Sequence, residues 1–364
     1  AFDDLPGNPP SARCVAVVRD FVFLGDLYGE DNFPYRVQWS GFFNSEIWTT
    51  GDIPNQSDFN AFWGEGGRIQ RIVGGEYALI FQEHAIRIAE YVGPPTIFKF
   101  DVIAEAKGTP SRGSVVRAGD AVFFYSWDGF SVIRGRQITN IGAGAVNDWF
   151  RARVATDELQ LKMTAAIDRR RRLVIWSYPT AGSSTNNEML IYNWASNRWA
   201  YADVGAQTLS EWAAPGYTLE ALDDLVGNNI DEHTVSLDSD VYKGGNVAMI
   251  AFDSDGAGRL FEGTPGVAEF VTGEATGEGG ARVFVAGIHP LVDDPGAASD
   301  VRAAAYGRGS LAAPPDLSGW TPMDVRGEVP LRLDTRYMRP ALRVQGRFYM
   351  AQGLEVLLRQ SGKR

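Results

Sequence analysis

The sequence predicts an all-β chain folded as a β-propeller of about six blades, with seven also open, joined by long connecting loops. The first observation is the stretch at residues 119–135, where two short apolar strands flank a tight turn at Trp127, Asp128 and Gly129. The second is that residues 74–88 repeat this pattern about 44 residues earlier. Short strands that recur every roughly 40–50 residues are typical of propeller blades, which bury their faces by stacking around an axis.

The first predicted blade follows an irregular lead-in at residues 1–13, which is rich in Pro, Gly and Asp. Residues 14–18 and 21–24 are predicted to form a hairpin. Residues 35–40 alternate apolar and polar side chains, as a half-buried strand does. A polar connection then leads to the second blade, which is predicted at residues 68–103.

The third blade contains the stretch at 119–135 and is predicted to close at residues 137–141. Apolar residues recur at helical spacing over residues 145–161, which indicates a short surface helix between blades. Residues 163–204 are predicted to form the next blade. Residues 209–245 are rich in Asp, Glu, Asn and Gly, so we expect a long acidic inserted loop there.

The remaining strands are predicted to complete the blades, so that residues 14–364 form one propeller. Each of these segments is a short apolar run bounded by turn residues. They lie at residues 246–252, 258–262, 269–272, 281–286, 301–306, 325–333, 341–349 and 354–358.

Composition narrows the classes of function. The chain has 364 residues and a net charge of -11, which argues against a general grip on nucleic acid, because that grip needs basic patches to neutralise phosphate. Cys14 is the single cysteine, so we expect a small buried core residue and neither an intrachain disulfide nor a cysteine-rich metal site. No apolar run reaches the length of a membrane span.

The histidines do not form a pattern that indicates catalysis. The three are His84, His233 and His289, and none has a partner histidine at metal-ligand spacing. The Gly-x-Ser-x-Gly motif, which carries the nucleophilic serine of many hydrolases, is also missing. We therefore predict no histidine-based active site.

Acidic residues are the other candidates, because glycosidases use a pair of carboxylates. Carboxylates that are neighbours in sequence do not by themselves form such a pair, so the acidic residues named below are interpreted as parts of solvated loops. The sequence thus predicts no catalytic, cofactor-binding or metal-binding residue and no enzyme. The acidic candidates are Asp223, Asp224, Asp231, Glu232, Asp238, Asp240, Asp293 and Asp294.

Two short motifs are interpreted as turns. Asp253, Asp255 and Gly256 resemble the start of a calcium loop, but Ala257 stands where an oxygen ligand is needed. The Gly-rich segment at residues 142–144 is not followed by the Lys-Ser/Thr of a phosphate-binding loop. We predict neither metal nor phosphate binding at these positions.

The run of arginines and the tryptophans near turns also favour structural roles. Residues 169–172 are four consecutive arginines, which favour a solvated turn over a contact with an acidic partner. Trp127, Trp194 and Trp199 flank predicted turns, where packing between blades is favoured over stacking on sugars.

The order of several motifs resembles a known family, the β-propeller tail proteins of tailed bacteriophages. These are the nozzle proteins of short-tailed phages (tail tubular protein B) and the related tail hubs that stabilise packaged DNA. The similarity covers most of the chain from Cys14 onward. The motifs lie at residues 36–40, 44–48, 77–86, 119–129, 140–142, 236–239 and 346–353.

The resemblance implies a structural virion component without catalytic residues. Its copies would form a ring, commonly of six subunits, around an acidic channel that retains and conducts genomic DNA without reading its sequence. Its partners would be neighbouring tail, adaptor or portal-proximal proteins. Two alternatives stay open: a propeller glycan hydrolase or lyase, and a scaffold propeller that binds host receptors.

Overall fold

The computed structural model describes residues 6–29, 32–213, 247–261, 266–293, 300–346, 348 and 350–360. The chain divides into two compact units, Ala1–Phe261 and Glu262–Arg364. Both consist almost entirely of antiparallel strands. The described helices include none long and apolar enough to cross a membrane.

The first unit begins with two four-stranded sheets, each of which follows chain order from one edge to the other. The first sheet contains β1 (Ala12–Val18), β2 (Phe21–Leu27), β3 (Phe33–Trp39) and β4 (Asp58–Ala61). The second contains β5 (Ile69–Val73), β6 (Ala78–Gln82), β7 (Ala85–Gly93) and β8 (Ile97–Glu105).

Three more sheets complete the described part of this unit, again in chain order. The third contains β9 (Val116–Ala118), β10 (Ala121–Ser126), β11 (Gly129–Arg134) and β12 (Gln137–Asn140). After α1 (Asn147–Arg151) and α2 (Thr156–Lys162), the fourth contains β13 (Thr164–Asp168), β14 (Leu173–Tyr178), β15 (Glu188–Asn193) and β16 (Arg198–Ala202). The fifth contains β17 (Thr208–Ala213), β18 (Val247–Phe252) and β19 (Gly258–Leu260).

The first strand of each sheet lines one central tunnel of about 480 Å³. The lining comes from β1, β5, β9, β13 and β17 and from residues next to them. Neighbouring first strands lie side by side, as β1 does with β5 and β13 does with both β9 and β17. This arrangement of five sheets around an axis is a β-propeller, with the first strand of each blade innermost.

The hairpin at residues 119–135 forms as the sequence predicts. Strand β10 pairs with β11 from Ala121 opposite Arg134 to Ser126 opposite Gly129. Gly129 has φ +114°, and a Cβ there would lie 2.1 Å from the Asn147 side chain. Glycine is therefore required at this turn, both for its backbone conformation and for the close approach of Asn147.

The core between the third and fourth sheets is aromatic. Phe130 is fully buried, and its ring lies 4.8–5.0 Å from the rings of Tyr125, Phe150 and Trp176. Phe150 comes from α1, so the apolar face of this helix closes the gap between two blades. The single helix predicted over residues 145–161 is two short helices, because Val154 between them forms a bridge with Thr180.

The second unit contains two sheets whose strands do not follow chain order. One has the path β20 (Val267–Val271), β27 (Tyr337–Gln345), β23 (Asp300–Arg308) and β24 (Asp316–Leu317), with β21 (Ala275–Thr276) and β25 (Thr321–Pro322) beside it. The other has the order β26 (Val329–Thr335), β22 (Val283–Asp293) and β28 (Met350–Gln360). Apolar residues of both sheets share one core.

The prediction of an all-β propeller is confirmed, whereas the details differ. The first unit has five sheets among its described residues, where the sequence predicted about six blades over 14–364. In the second unit, the long strand β22 pairs with both β26 and β28, which are distant in sequence, so these strands do not repeat the blade pattern. Residues 209–213 of the predicted acidic loop belong to β17, and residues 214–246 lie outside the described residues.

Replacing Phe130 by Ala should lower the free energy of unfolding of the propeller by about 3–5 kcal/mol, because it leaves a cavity in this aromatic core. Chemical denaturation followed by tryptophan fluorescence measures the change. Phe43→Ala is the matched control, since that ring is 75% exposed, and it should change stability by less than about 0.5 kcal/mol. Equal losses in the two variants would contradict this packing.

Candidate ligand-binding site

The tunnel has one end at which all five inner strands begin, here called the leading end. Because successive strands of a blade are antiparallel, the turn between its second and third strands returns to this end. Hydrogen bonds support the placement in the second blade. The Glu83 amide donates to the Arg68 carbonyl at 3.0 Å, and the His84 amide donates to the Gly66 carbonyl at 2.9 Å.

A buried carboxylate, Asp26, lies at the leading end of the first blade. It sits near the end of β2, where a bulge interrupts pairing with β3 and Asp26 takes φ +54°. Its side chain is fully buried. Three arginines converge on it: Arg68 Nε lies 3.1 Å from Oδ1, Arg13 Nη1 lies 3.6 Å from Oδ1, and Arg112 Nη2 lies 3.6 Å from Oδ2.

Arg13, Arg68 and Arg112 are called the arginine cluster below. Arg13 lies on β1, Arg68 directly precedes β5, and Arg112 precedes β9, so each blade of the first three supplies one arginine. Their side chains are 37%, 39% and 30% exposed. Three positive charges therefore surround one negative charge and also reach solvent.

The cluster has hydrogen-bonding capacity that Asp26 does not use. Within the described part of the chain, neither Asp26 oxygen has a hydrogen bond of good geometry, although both lie in ion pairs. The buried Arg112 Nε likewise has no acceptor among the described residues. The interaction with Asp26 is thus mainly coulombic, and guanidinium donors remain for another acceptor.

Burial raises the pKa of Asp26 above its ordinary value of 3.8, because desolvation penalises the carboxylate. Arg68, Arg13 and Arg112 lower the pKa in part, and the charge of Glu83 raises it. A carboxyl group with a raised pKa beside several cations is a feature common at functional sites.

Glu83 links the second blade to this site. Its Oε2 accepts the Arg68 backbone N–H at 3.3 Å, and its Oε1 accepts the Gln70 side-chain amide at 3.3 Å. The Gln70 carbonyl accepts the Cys14 thiol at 3.1 Å. Burial raises the pKa of Cys14 to about 11, so the thiol stays protonated at neutral pH.

Aromatic rings border the leading end. The Arg13 guanidinium lies 4.5 Å from the ring centroid of Tyr28, which is 44% exposed. Trp127, in the turn between β10 and β11, is 49% exposed and stacks on His84 with centroids 5.6 Å apart. Trp194 and Trp199 pack on the aromatic core, as the sequence predicts. Trp127 is not part of that core.

The tunnel beyond this end is not acidic. Charged residues in its lining are Arg71, Arg117 and Glu211, and Glu211 is paired with Arg169 at 3.3 Å. Val15 and Val17 of the lining are 68% and 64% exposed. Two arginines and one glutamate thus give the described lining of this tunnel a small excess of positive charge. The acidic channel expected between the subunits of a ring is a different feature and stays an untested prediction.

Most of the acidic candidates of the sequence lie outside the residues that the structure describes. His233, Asp294 and the acidic residues between 223 and 240 lie outside the described residues, while His289 and Asp293 lie on β22 of the second unit. Asp253 forms a turn with Gly256 and pairs with Arg259. Among the described residues, no group of three His, Cys, Asp or Glu side chains is arranged to hold a metal ion.

The other motifs have structural roles. The arginines at 169–172 form the turn between β13 and β14, where Arg171 pairs with Asp168 at 3.5 Å. The Gly142 amide donates to Asn140 Oδ1 at 3.1 Å, and a Cβ at Gly142 would lie 2.0 Å from Asn147. Sequence reasoning missed Asp26, although an acidic residue within the apolar run of β2 was a visible signal.

Comparison with known proteins does not assign the chain to a family. No family model matches the chain, and no curated protein matches it. One matching solved structure is an exo-β-1,3-galactanase from Phanerochaete chrysosporium, with galactose. It is 10% identical, the alignment covers 92% of each chain, and the TM-score is 0.29. A similarity this low assigns neither a fold nor an activity to this chain.

These comparisons correct the predicted function. The chain was expected to be a non-enzymatic bacteriophage tail nozzle or hub, whereas the similar solved structure named above is a galactanase. We therefore withdraw the tail function and the statement that the chain is not an enzyme. The subunit ring, its tail neighbours, the passing DNA and the virion location rested on the same resemblance and stay untested predictions.

Asp26 should make the stability of the propeller depend on pH. Its raised pKa means that the folded state holds the proton more tightly than the unfolded state does. Its contribution to stability is therefore fully present below the ordinary value of 3.8 and declines as the pH rises through the folded-state pKa. Asp26→Asn should remove this decline.

The measurement is the free energy of unfolding of the wild type minus that of Asp26→Asn, followed across pH. We expect this difference to fall with rising pH and then to level off. Asp148→Asn serves as the control for the loss of one exposed carboxylate, because that side chain is 96% exposed. A difference that rises with pH would contradict the assignment.

Proposed function

We propose that the leading end of the propeller binds the anionic group of a ligand through the arginine cluster. One observation carries this proposal: Arg13, Arg68 and Arg112 converge on a single buried carboxylate while each stays about one third exposed. The three guanidinium groups outnumber the Asp26 carboxylate, so the cluster keeps positive charge at the leading end. Guanidinium groups form paired hydrogen bonds with carboxylate, sulfate and phosphate, which are the chemical groups such a site accepts.

Charge on the rest of the molecule limits the ligand. The chain carries a net charge of -11, so a long polyanion is repelled from most of its surface. A discrete anionic group that reaches the leading end meets half-buried guanidinium groups, which attract it more strongly than fully solvated ones would. The site therefore favours a ligand with a compact charged group.

Citrate is a suitable first probe, because it carries three carboxylates and no ring. Arg112→Gln should weaken citrate binding about tenfold or more, since a hydrogen bond to a charged group contributes about 1.5–3 kcal/mol. Arg112→Lys should give an intermediate affinity, because it keeps the charge and loses the planar fork. Isothermal titration calorimetry of the full chain measures both.

Arg198→Gln is the matched control for net charge, since Arg198 is an exposed residue of β16. It should bind citrate as the wild type does. Unfolding curves of all variants identify any loss that comes from folding. A wild type that does not bind citrate, or an Arg112→Gln variant that binds it unchanged, would refute the proposed site.

A second candidate function is glycan hydrolysis, which one observation at the same site favours. Asp26 and Glu83 come from neighbouring blades, their charges interact, and the pKa of Asp26 is raised. Two carboxyl groups in different environments are the machinery of glycosidases. Glu83 is partly exposed and Asp26 is buried, so Glu83 is the group that a substrate would contact first.

If this second function holds, the wild type should release reducing ends from a short acidic oligosaccharide such as trigalacturonate. Glu83→Gln should slow that release about 100-fold or more, as expected for loss of an acid–base group. The same variant should still bind citrate. Release that is absent in the wild type, or unchanged in Glu83→Gln, would eliminate hydrolysis and leave the binding proposal standing.

A further inference from the structure

Trp127 is unusual among the tryptophans that flank turns, because about half of its surface is exposed. Its indole is nevertheless held in place. The Nε1–H donates to the Glu83 carbonyl at 2.7 Å, and the ring stacks on His84 with an angle of 20° between the planes. A large apolar ring with a fixed orientation can bind a ligand at low entropic cost, since little side-chain freedom is lost.

The turn that carries Trp127 is rigid as well. The Asp128 carbonyl accepts hydrogen bonds from the side-chain amides of Asn140 at 3.0 Å and Asn147 at 3.2 Å. The Asp128 carboxylate accepts from Lys107 Nζ at 2.8 Å. The turn that carries the indole thus also carries Asp128 of the Lys107–Asp128 pair, whose charged groups can bond the hydroxyls of a ligand.

The Trp127–His84 stack is connected to the arginine cluster through two residues. The Trp127 indole donates to the Glu83 carbonyl. The Glu83 amide donates to the Arg68 carbonyl, and the Arg68 amide donates to the Glu83 carboxylate. Arg68 in turn contacts Asp26. The exposed indole and the arginine cluster therefore both lie at the leading end, on the first three blades.

We propose that the Trp127–His84 stack is a sugar-binding subsite, and that the ligand is an acidic oligosaccharide. This inference rests on the proposed anion site and names its class of ligand. The apolar C–H face of a pyranose ring would cover the indole, Lys107 and Asp128 would bond its hydroxyls, and the carboxylate of a neighbouring unit would reach the arginines. A nucleic acid could also stack on indole, but the net charge of -11 disfavours it.

The test compares trigalacturonate with citrate, because both carry three carboxylates and only the first has sugar rings. Trp127→Ala should weaken the binding of trigalacturonate about tenfold, in line with the loss of one aromatic contact. The same variant should bind citrate with an affinity within about twofold of the wild type. Trp127→Phe should recover part of the affinity, since it keeps a ring. Calorimetry of the full chain provides all of these affinities.

Trp63→Ala is the matched control, since Trp63 is 73% exposed and packs on Tyr35 at 4.6 Å in the first blade. It should bind both ligands normally. Unchanged trigalacturonate affinity in Trp127→Ala, an equal loss of citrate affinity, or a wild type that binds a trinucleotide as tightly would overturn the subsite. Failure of the wild type to bind citrate would instead count against the arginine site.

Discussion

The buried carboxylate of Asp26 is the constraint on which the leading end depends. A carboxylate removed from water is strongly destabilising unless cations surround it, and the three arginines at 3.1–3.6 Å supply them from three consecutive blades. The same contacts hold the guanidinium groups near one point. Stability and binding are thus linked. The Asp26 carboxylate orients the three arginines, but its single negative charge neutralises only part of their positive charge.

The positions of the arginines follow from the propeller itself. Inner strands all begin at one end of the tunnel, so residues at or just before β1, β5 and β9 meet there without any long loop. Turns between second and third strands return to this end and bring Glu83, His84 and Trp127. Aromatic packing around Phe130 fixes the third blade against the fourth, and so fixes the turn that presents Trp127.

Local patterns predicted the local structure well. The hairpin β10–β11 follows from an apolar run, a turn and a glycine, all of which are close in sequence. The number of blades was not predictable in this way, because strands such as β22 and β28 look like blade strands until their distant pairing is known. Long-range pairing leaves no local signal in a single sequence.

The candidate site was missed for the same reason, although one signal was present. Arg68 and Arg112 are separated by the same interval of about 44 residues that relates the first two recognised hairpins. Their convergence on Asp26 depends on contacts across three blades, which no spacing along the chain specifies. An acidic residue in an apolar strand was the other indication of a buried charge.

The most direct test of this account is an experimental structure of the full chain determined with saturating citrate. We expect five sheets around one tunnel in the first unit and a citrate carboxylate bonded to Arg112 and to at least one of Arg13 and Arg68. An anion-free cluster at saturating citrate, or arginines that do not meet at Asp26, would contradict it.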